Sequence, residues 1–189
     1  MDNVPSLSAA KSLIRERRLQ EAVAMLGRII AQKSSESGEA AYCLAILYHS
    51  GSGVAKDLNQ AEKFFLVAEE YGCRLATYRL GGMYYRRGEF KKAYDSFQSV
   101  AQDNPSAAYW AYRVLIADRL VDKDPDASRK HLNNAAAQGH VVAQRTLAIR
   151  YVLGREGFAK IPRGFVLYAK AIANIFRIVV VHDDKMKYE

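Results

Sequence analysis

Little in this sequence could bind a metal or staple a loop. Its two cysteines, Cys43 and Cys73, stand thirty residues apart without a Cys or His companion at ligand spacing, which excludes a zinc site of the usual kinds. Counting alone leaves a disulfide open, and the apolar neighbours favour two small buried thiols. The four histidines, His49, His131, His140 and His182, have no ligand-like neighbour at i+3 or i+4, so no metal is expected. Proline occurs only four times, while alanine is abundant. Both facts favour helices, since proline is the main helix breaker and alanine costs no side-chain entropy there.

Long apolar runs are also missing. The most hydrophobic stretch, 165–181, is seventeen residues long and contains Lys170 and Arg177, too short and too charged for a membrane span. The opening "MDNVPSLSAAKSLIRERRLQ" has no continuous apolar core of a secretory leader, and the expected location is cytoplasmic. Catalytic patterns are absent too. Glu69, Glu70 and Asp95 do not recur in paired positions, and Ser34 and Ser35 lie in a polar linker rather than a nucleophile elbow. The expectation is a protein that is not an enzyme, with no cofactor.

What the chain has is positive charge and internal repetition. The 189 residues carry a formal charge of +8, which permits an acidic partner, a nucleic acid or an anionic surface. The densest basic clusters, "RERR" at 15–18 and "YYRRGEFKK" at 84–92, are short.

Four segments align: "AAYCLAILY" from Ala40, "ATYRLGGMY" from Ala76, "AAYWAYRVL" from Ala107 and "AQRTLAIRY" from Ala143, at spacings of 36, 31 and 36 residues. Alanine opens each; leucine returns at Leu44, Leu80 and Leu147, and tyrosine at Tyr48, Tyr84 and Tyr151, with Ala111 and Leu115 in the third copy. Positions one, five and nine share roughly one helical face. They predict a recurring first helix with those leucines and tyrosines mostly buried. A second helix follows each, starting at Ala61, Ala93, Ala127 and Gly164; the set Ala61, Phe65, Ala68 returns as Ala93, Phe97, Val100 and, more polar, as Ala127, His131, Asn134.

The corner "GSGVAKDLNQA", 51–61, raises the question of a phosphate loop, but Gly51, Gly53 and Lys56 miss the GxxxxGK spacing. In the second copy the corner shrinks to "RRGE" around Gly88. The glycines therefore read as chain reversal. Asp57 is a helix cap with Gln60 at capping-box spacing, and Asp124-Pro125 repeats the device. Gly72 and Gly139 read as helix terminators.

The domain reading is a degenerate N-terminal helix pair at 1–35 followed by a repeat array at 36–181. Its units lie near 40–72, 76–104, 107–140 and 143–176, and 182–189 is a frayed tail. "SSESGE" reads as a polar connection before the better repeats. About ten helices in five antiparallel pairs are expected.

The Ala-x-x-x-Leu…Tyr register, the "GxGV" corner, "KD" with alanine four residues past the Asp, and the Gly139-His140 junction together resemble the Sel1-like repeat, a longer-looped relative of the tetratricopeptide repeat. The resemblance covers about residues 36 to 176 and is strongest at 40–72. It implies an all-α fold, a right-handed alpha-alpha superhelix, that binds other proteins without catalytic residues of its own.

First helices line the concave face of such a solenoid. Tyr42, Tyr78 and Tyr109 share one register position, followed by Arg145. Aromatic and arginine side chains are the commonest interface anchors, and the expected partner-binding set is Tyr78, Arg79, Tyr85, Tyr109, Trp110 and Arg113. The expected function is a protein-interaction scaffold or adaptor, its partner a protein or peptide of acidic character. Packing between units is the competing role for the tyrosines. Two alternatives stand beside this reading: a helical-repeat protein binding RNA or DNA, and a peripheral membrane-associated scaffold in bacterial envelope or polysaccharide assembly.

Overall fold

The computed structural model describes residues 6–117 and 125–186, the last thirteen by backbone alone. Ten α-helices follow one another among these residues, with no strand: α1 (Leu7–Arg15), α2 (Leu19–Ala31), α3 (Ser37–Ser50), α4 (Leu58–Glu70), α5 (Arg74–Arg87), α6 (Phe90–Val100), α7 (Pro105–Ile116), α8 (Pro125–Ala137), α9 (Val141–Val152) and α10 (Ile161–Met186). They pair as five helix hairpins, and a 3-10 turn, Phe158–Lys160, leads into α10. The chain forms two compact units, Met1–Ser96 and Phe97–Glu189.

The repeat register is a packing code. Ala40, Ala76, Ala107 and Ala143 are completely buried, as are Ala61 and Ala93 on the second helices. A methyl group at these places lets two helix backbones approach, and any longer side chain would hold them apart. Leu44, Leu80 and Leu147 are buried one turn later, Phe65 packs in the same core as Leu80, and Phe97 is buried on its own second helix. In the first unit one core gathers Leu7, Leu26, Ile29 and Leu44, and another gathers Ala45, Phe65, Ala76 and Leu80. In the second unit Ala108, Tyr112, Leu132, Leu147 and Tyr151 form the core.

Two of the six register residues differ from expectation. Tyr48 and Tyr84 are half-buried rather than buried. Tyr48 stacks on Phe64 at 5.6 Å, and the Lys92 ammonium lies 5.5 Å from the Tyr84 ring. A phenol that keeps its hydroxyl near water reconciles its apolar ring with its polar tip.

Five helix ends follow one solution. After α3, α4, α5, α8 and α9, a glycine with positive φ stops the helix: Gly51, Gly72, Gly88, Gly139 and Gly154. In each case the next amide donates to the carbonyl five residues back, as Ser52 does to Leu47 and His140 to Ala135. This is the Schellman closure, which satisfies carbonyls the helix leaves open. At the start of α4, Asp57 accepts from the amides of Asn59 and Gln60 at 2.8 and 3.0 Å. The Asp57 amide itself donates to the Tyr48 carbonyl, so it is Tyr48, and not the Gln60 side chain of a capping box, that ties the corner together. Gly53 has a φ of 75°, and a Cβ there would collide with Leu19 at the start of α2. The first corner is thus packed against a neighbouring hairpin. Asp124 of the second proposed cap lies outside the described residues.

The polar "SSESGE" connection is structural. Ser37 is fully buried and donates to the Ile29 carbonyl at 3.0 Å, while Glu36 accepts from the first amide of α1. The polar third copy has a comparable reason. Asn134 and Gln138 both donate to the Ala101 carbonyl just past α6, supplying a partner that a helix end would otherwise lack. At the other end, α10 continues five residues into the stretch read as tail.

Candidate interaction surface on the first helices

In the first unit, α1 and α3 leave a groove of about 650 Å³ between them, lined by Ile14, Tyr42, Cys43, Ile46 and Leu47, with Lys11 and Arg15 at its rim. Tyr42, Ile46 and His49 follow one another at helical spacing along α3. The groove therefore leads along one stripe of α3 toward His49. There the Arg86 guanidinium of α5 lies 3.3 Å from the imidazole Nε2. Because the guanidinium only donates, the contact requires the unprotonated nitrogen to accept. Burial first, then the charges of Arg86, Lys56 and Arg79, hold His49 below its ordinary pKa. Arg79, Arg86 and Lys56 are exposed. The first-helix edge of this unit thus joins an apolar trough to a cluster of cations.

Of the expected binding residues in this unit, Arg79 is exposed and belongs to that cluster. Tyr78 is half-buried, and Tyr85 is half-buried with its ring edge-on to Phe90 at 5.6 Å. Tyr42 meets Phe65 at 5.8 Å, so one side of its ring belongs to the core. Both cysteines are free and half-buried; Cys43 forms part of the groove wall, and burial pushes its thiol above the ordinary value. The groove went unnoticed in the sequence because the N-terminal helix pair shares no repeat register with the others.

The second unit brings three expected residues together on α7. Trp110 stacks on Phe97 at 6.0 Å, and the exposed Arg113 guanidinium lies 5.1 Å from the indole ring. Tyr109 stacks on His140 at 4.7 Å and touches Tyr112. His140 in turn caps α9, its Nδ1 accepting from the Ala143 amide at 3.1 Å. Burial lowers the pKa of His140, consistent with a ring that must stay neutral to accept. Beyond this surface, Glu156 is 3% exposed and pairs with Arg150 at 2.6 Å and Arg129 at 3.2 Å.

Among the described residues no group of three His, Cys, Asp or Glu could hold a metal ion, and no helix is long and apolar enough to cross a membrane.

Helix hairpins with a recurrent small-residue seam and left-handed glycine corners define a protein of the α–α repeat class. Comparison with known proteins specifies the class further. No protein-family model matches the chain. A Sel1 repeat protein from Oxalobacter formigenes superposes with a TM-score of 0.76 at 21% identity, over 89% of this chain and 70% of that one. A protective antigen of uropathogenic Escherichia coli displaying an SLR fold gives 0.60 at 26% identity, over 81% and 37%. In sequence, the chain is 25% identical over 115 residues to a putative sel1-like repeat-containing protein of Acanthamoeba polyphaga mimivirus, covering 59% of this chain and 21% of that protein. It is 25% identical over 141 residues to chitin synthase regulatory factor 4 of Schizosaccharomyces pombe, covering 74% and 20%. The fold is the Sel1-like repeat fold. The chain spans about a fifth of the length of the curated relatives it matches.

Proposed function

We propose that this chain is a non-catalytic interaction scaffold that holds an acidic protein segment with apolar side chains along the edge of its first helices. The observation that carries this reading is the apolar trough between α1 and α3 running along one stripe of α3 to His49, Arg79 and Arg86. The apolar wall supplies buried area, and the cations select acidic partners and speed their encounter. In the first unit Tyr78, Arg79 and Tyr85 on α5 are the proposed contacts, with Tyr42, Ile46 and Arg86 extending the set; in the second unit Tyr109, Trp110 and Arg113 on α7 are proposed contacts in their own right. A binding role accords with the name of the relative called a chitin synthase regulatory factor.

Capture from native extract, with and without nuclease, tests the reading when the full chain is run beside its Arg79→Glu, Arg86→Glu double variant. A protein that persists after nuclease and is lost from the variant supports it. Partners that vanish with nuclease, or that bind the variant equally, contradict it.

A further inference from the structure

Helix α10 docks on α9 through a narrow stripe: Gly164 and Ala171 are buried and Leu167 half-buried, at i, i+3 and i+7. Gly164 sits so close to Tyr151 and Val152 that a Cβ would clash with the α9 backbone. The docking is therefore intimate, and between residues 161 and 173 it leaves most of the helix surface open. That open surface is apolar. Phe165 is 61% exposed and Val166 55%, with Tyr168 and Ile172 close to 40%, and Phe158 in the preceding turn is 84% exposed. Large apolar side chains scattered singly need no explanation, but five within fifteen residues on one helix and its lead-in turn are a patch.

Between residues 157 and 173 the charge has one sign. Arg163 and Lys170 are exposed and stand seven residues apart, so they share a strip along one flank of α10. Lys160 is exposed beside them, with its ammonium 5.7 Å from the Tyr151 ring. Between residues 157 and 173 there is no Asp or Glu, and Glu156, the acid immediately before this stretch, is buried against Arg150 and Arg129. A second copy of the chain would bring this same basic strip against itself. An anionic lipid surface accepts both features, because rings and aliphatic side chains enter the headgroup boundary while cations beside them meet lipid phosphates.

We propose that the exposed face of α10 and its lead-in turn form a peripheral docking surface for an anionic membrane, with Phe158, Phe165 and Val166 entering the interface and Arg163 and Lys170 engaging the headgroups. The interaction is surface binding, driven by apolar contact plus charge, and it is independent of the first-helix edge.

Cosedimentation of the full chain with vesicles tests it. With vesicles of about one-third phosphatidylserine in phosphatidylcholine, the protein should pellet, with little binding to phosphatidylcholine alone. Phe165→Ser with Val166→Ser, and separately Arg163→Glu with Lys170→Glu, should each weaken binding by about tenfold or more while the melting temperature stays near that of the unaltered chain. The Arg79→Glu, Arg86→Glu variant should retain vesicle binding, which separates this surface from the proposed protein-binding edge. Absence of binding to anionic vesicles overturns the proposal, as does equal binding by all variants. A concentration-dependent dimer that Phe165→Ser with Val166→Ser abolishes, without vesicle binding, would assign the face to a second copy and overturn it as well.

Discussion

Replacing Leu80 by alanine probes the repeat seam where it is most demanding. The side chain is 0% exposed and sits in a core shared with Ala45, Phe65, Ala76 and Met83. Three helices, α3, α4 and α5, contribute fully buried alanines to this core, so their backbones already lie close together and have little room to move inward. The cavity should therefore persist, which places the loss in the upper part of the range of about 2–5 kcal/mol for such truncations. A loss of roughly 4 kcal/mol is a large share of the total stability of a domain this size, on the order of 5–15 kcal/mol. It corresponds to a fall in melting temperature of ~10 °C or more. Urea unfolding followed by helix ellipticity reads it directly, with the midpoint falling and the slope preserved. An unchanged midpoint with an unchanged slope would refute the placement of Leu80 between hairpins and, with it, the Ala-Leu register as the source of packing.

Asp57→Ala should cost about 1 kcal/mol through loss of the α4 cap, while exposed Lys56→Ala should change stability by less than ~0.5 kcal/mol; equal losses in chemical denaturation would contradict a purely structural corner. Titration calorimetry with ATP and magnesium should show no saturable heat at that corner, and a saturable isotherm lost in Lys56→Ala would overturn its assignment. Burial lowers the pKa of His131 and His140, as it does that of His49. Their contribution to stability is therefore present above the ordinary imidazole pKa of about 6.5 and is lost as pH falls below it. Melting temperature should drop between about pH 7 and 5. His140→Asn, which keeps an acceptor for the Ala143 amide but cannot titrate, should flatten part of that drop; an identical profile would refute a role for its protonation. Glu156→Gln leaves Arg150 and Arg129 without their shared carboxylate and should cost about 2 kcal/mol by denaturation, less than for a fully dry pair because Arg129 is half in water; no loss would mean that the pair is energetically idle.

The repeat seam was legible because alanine at a fixed place in each hairpin has one environment that rewards it. Ala40, Ala76, Ala107 and Ala143 are all fully buried. The glycine corners were legible for the same reason, as positive φ leaves few alternatives to glycine. Polar residues whose partners lie far along the chain were not. Asn134 reaches a carbonyl thirty-three residues away, and the Glu156 carboxylate is claimed by an arginine from another hairpin. Local pattern carries no information about either pairing. The groove beside Ile14 and Tyr42 escaped notice because one wall comes from a helix with no place in the repeat alignment. Tyr48 and Tyr84 show the remaining ambiguity of tyrosine, whose ring suits a core while its hydroxyl seeks water.

The most direct test of the central claim pairs Arg79→Glu with Arg113→Glu in the full chain and measures, for a partner captured as above, both affinity and melting temperature. Both side chains are exposed, and the contact between Arg113 and Trp110 is worth only about 0.5–1 kcal/mol at an exposed site, so melting should move little. The account predicts that affinity falls by about tenfold or more, since each replaced arginine removes an attractive charge and adds a repulsive one. Retention of affinity in that variant, together with its loss when the exposed second-helix residues Lys63 and Lys130 are changed to glutamate, would place the partner on the second helices and contradict the account.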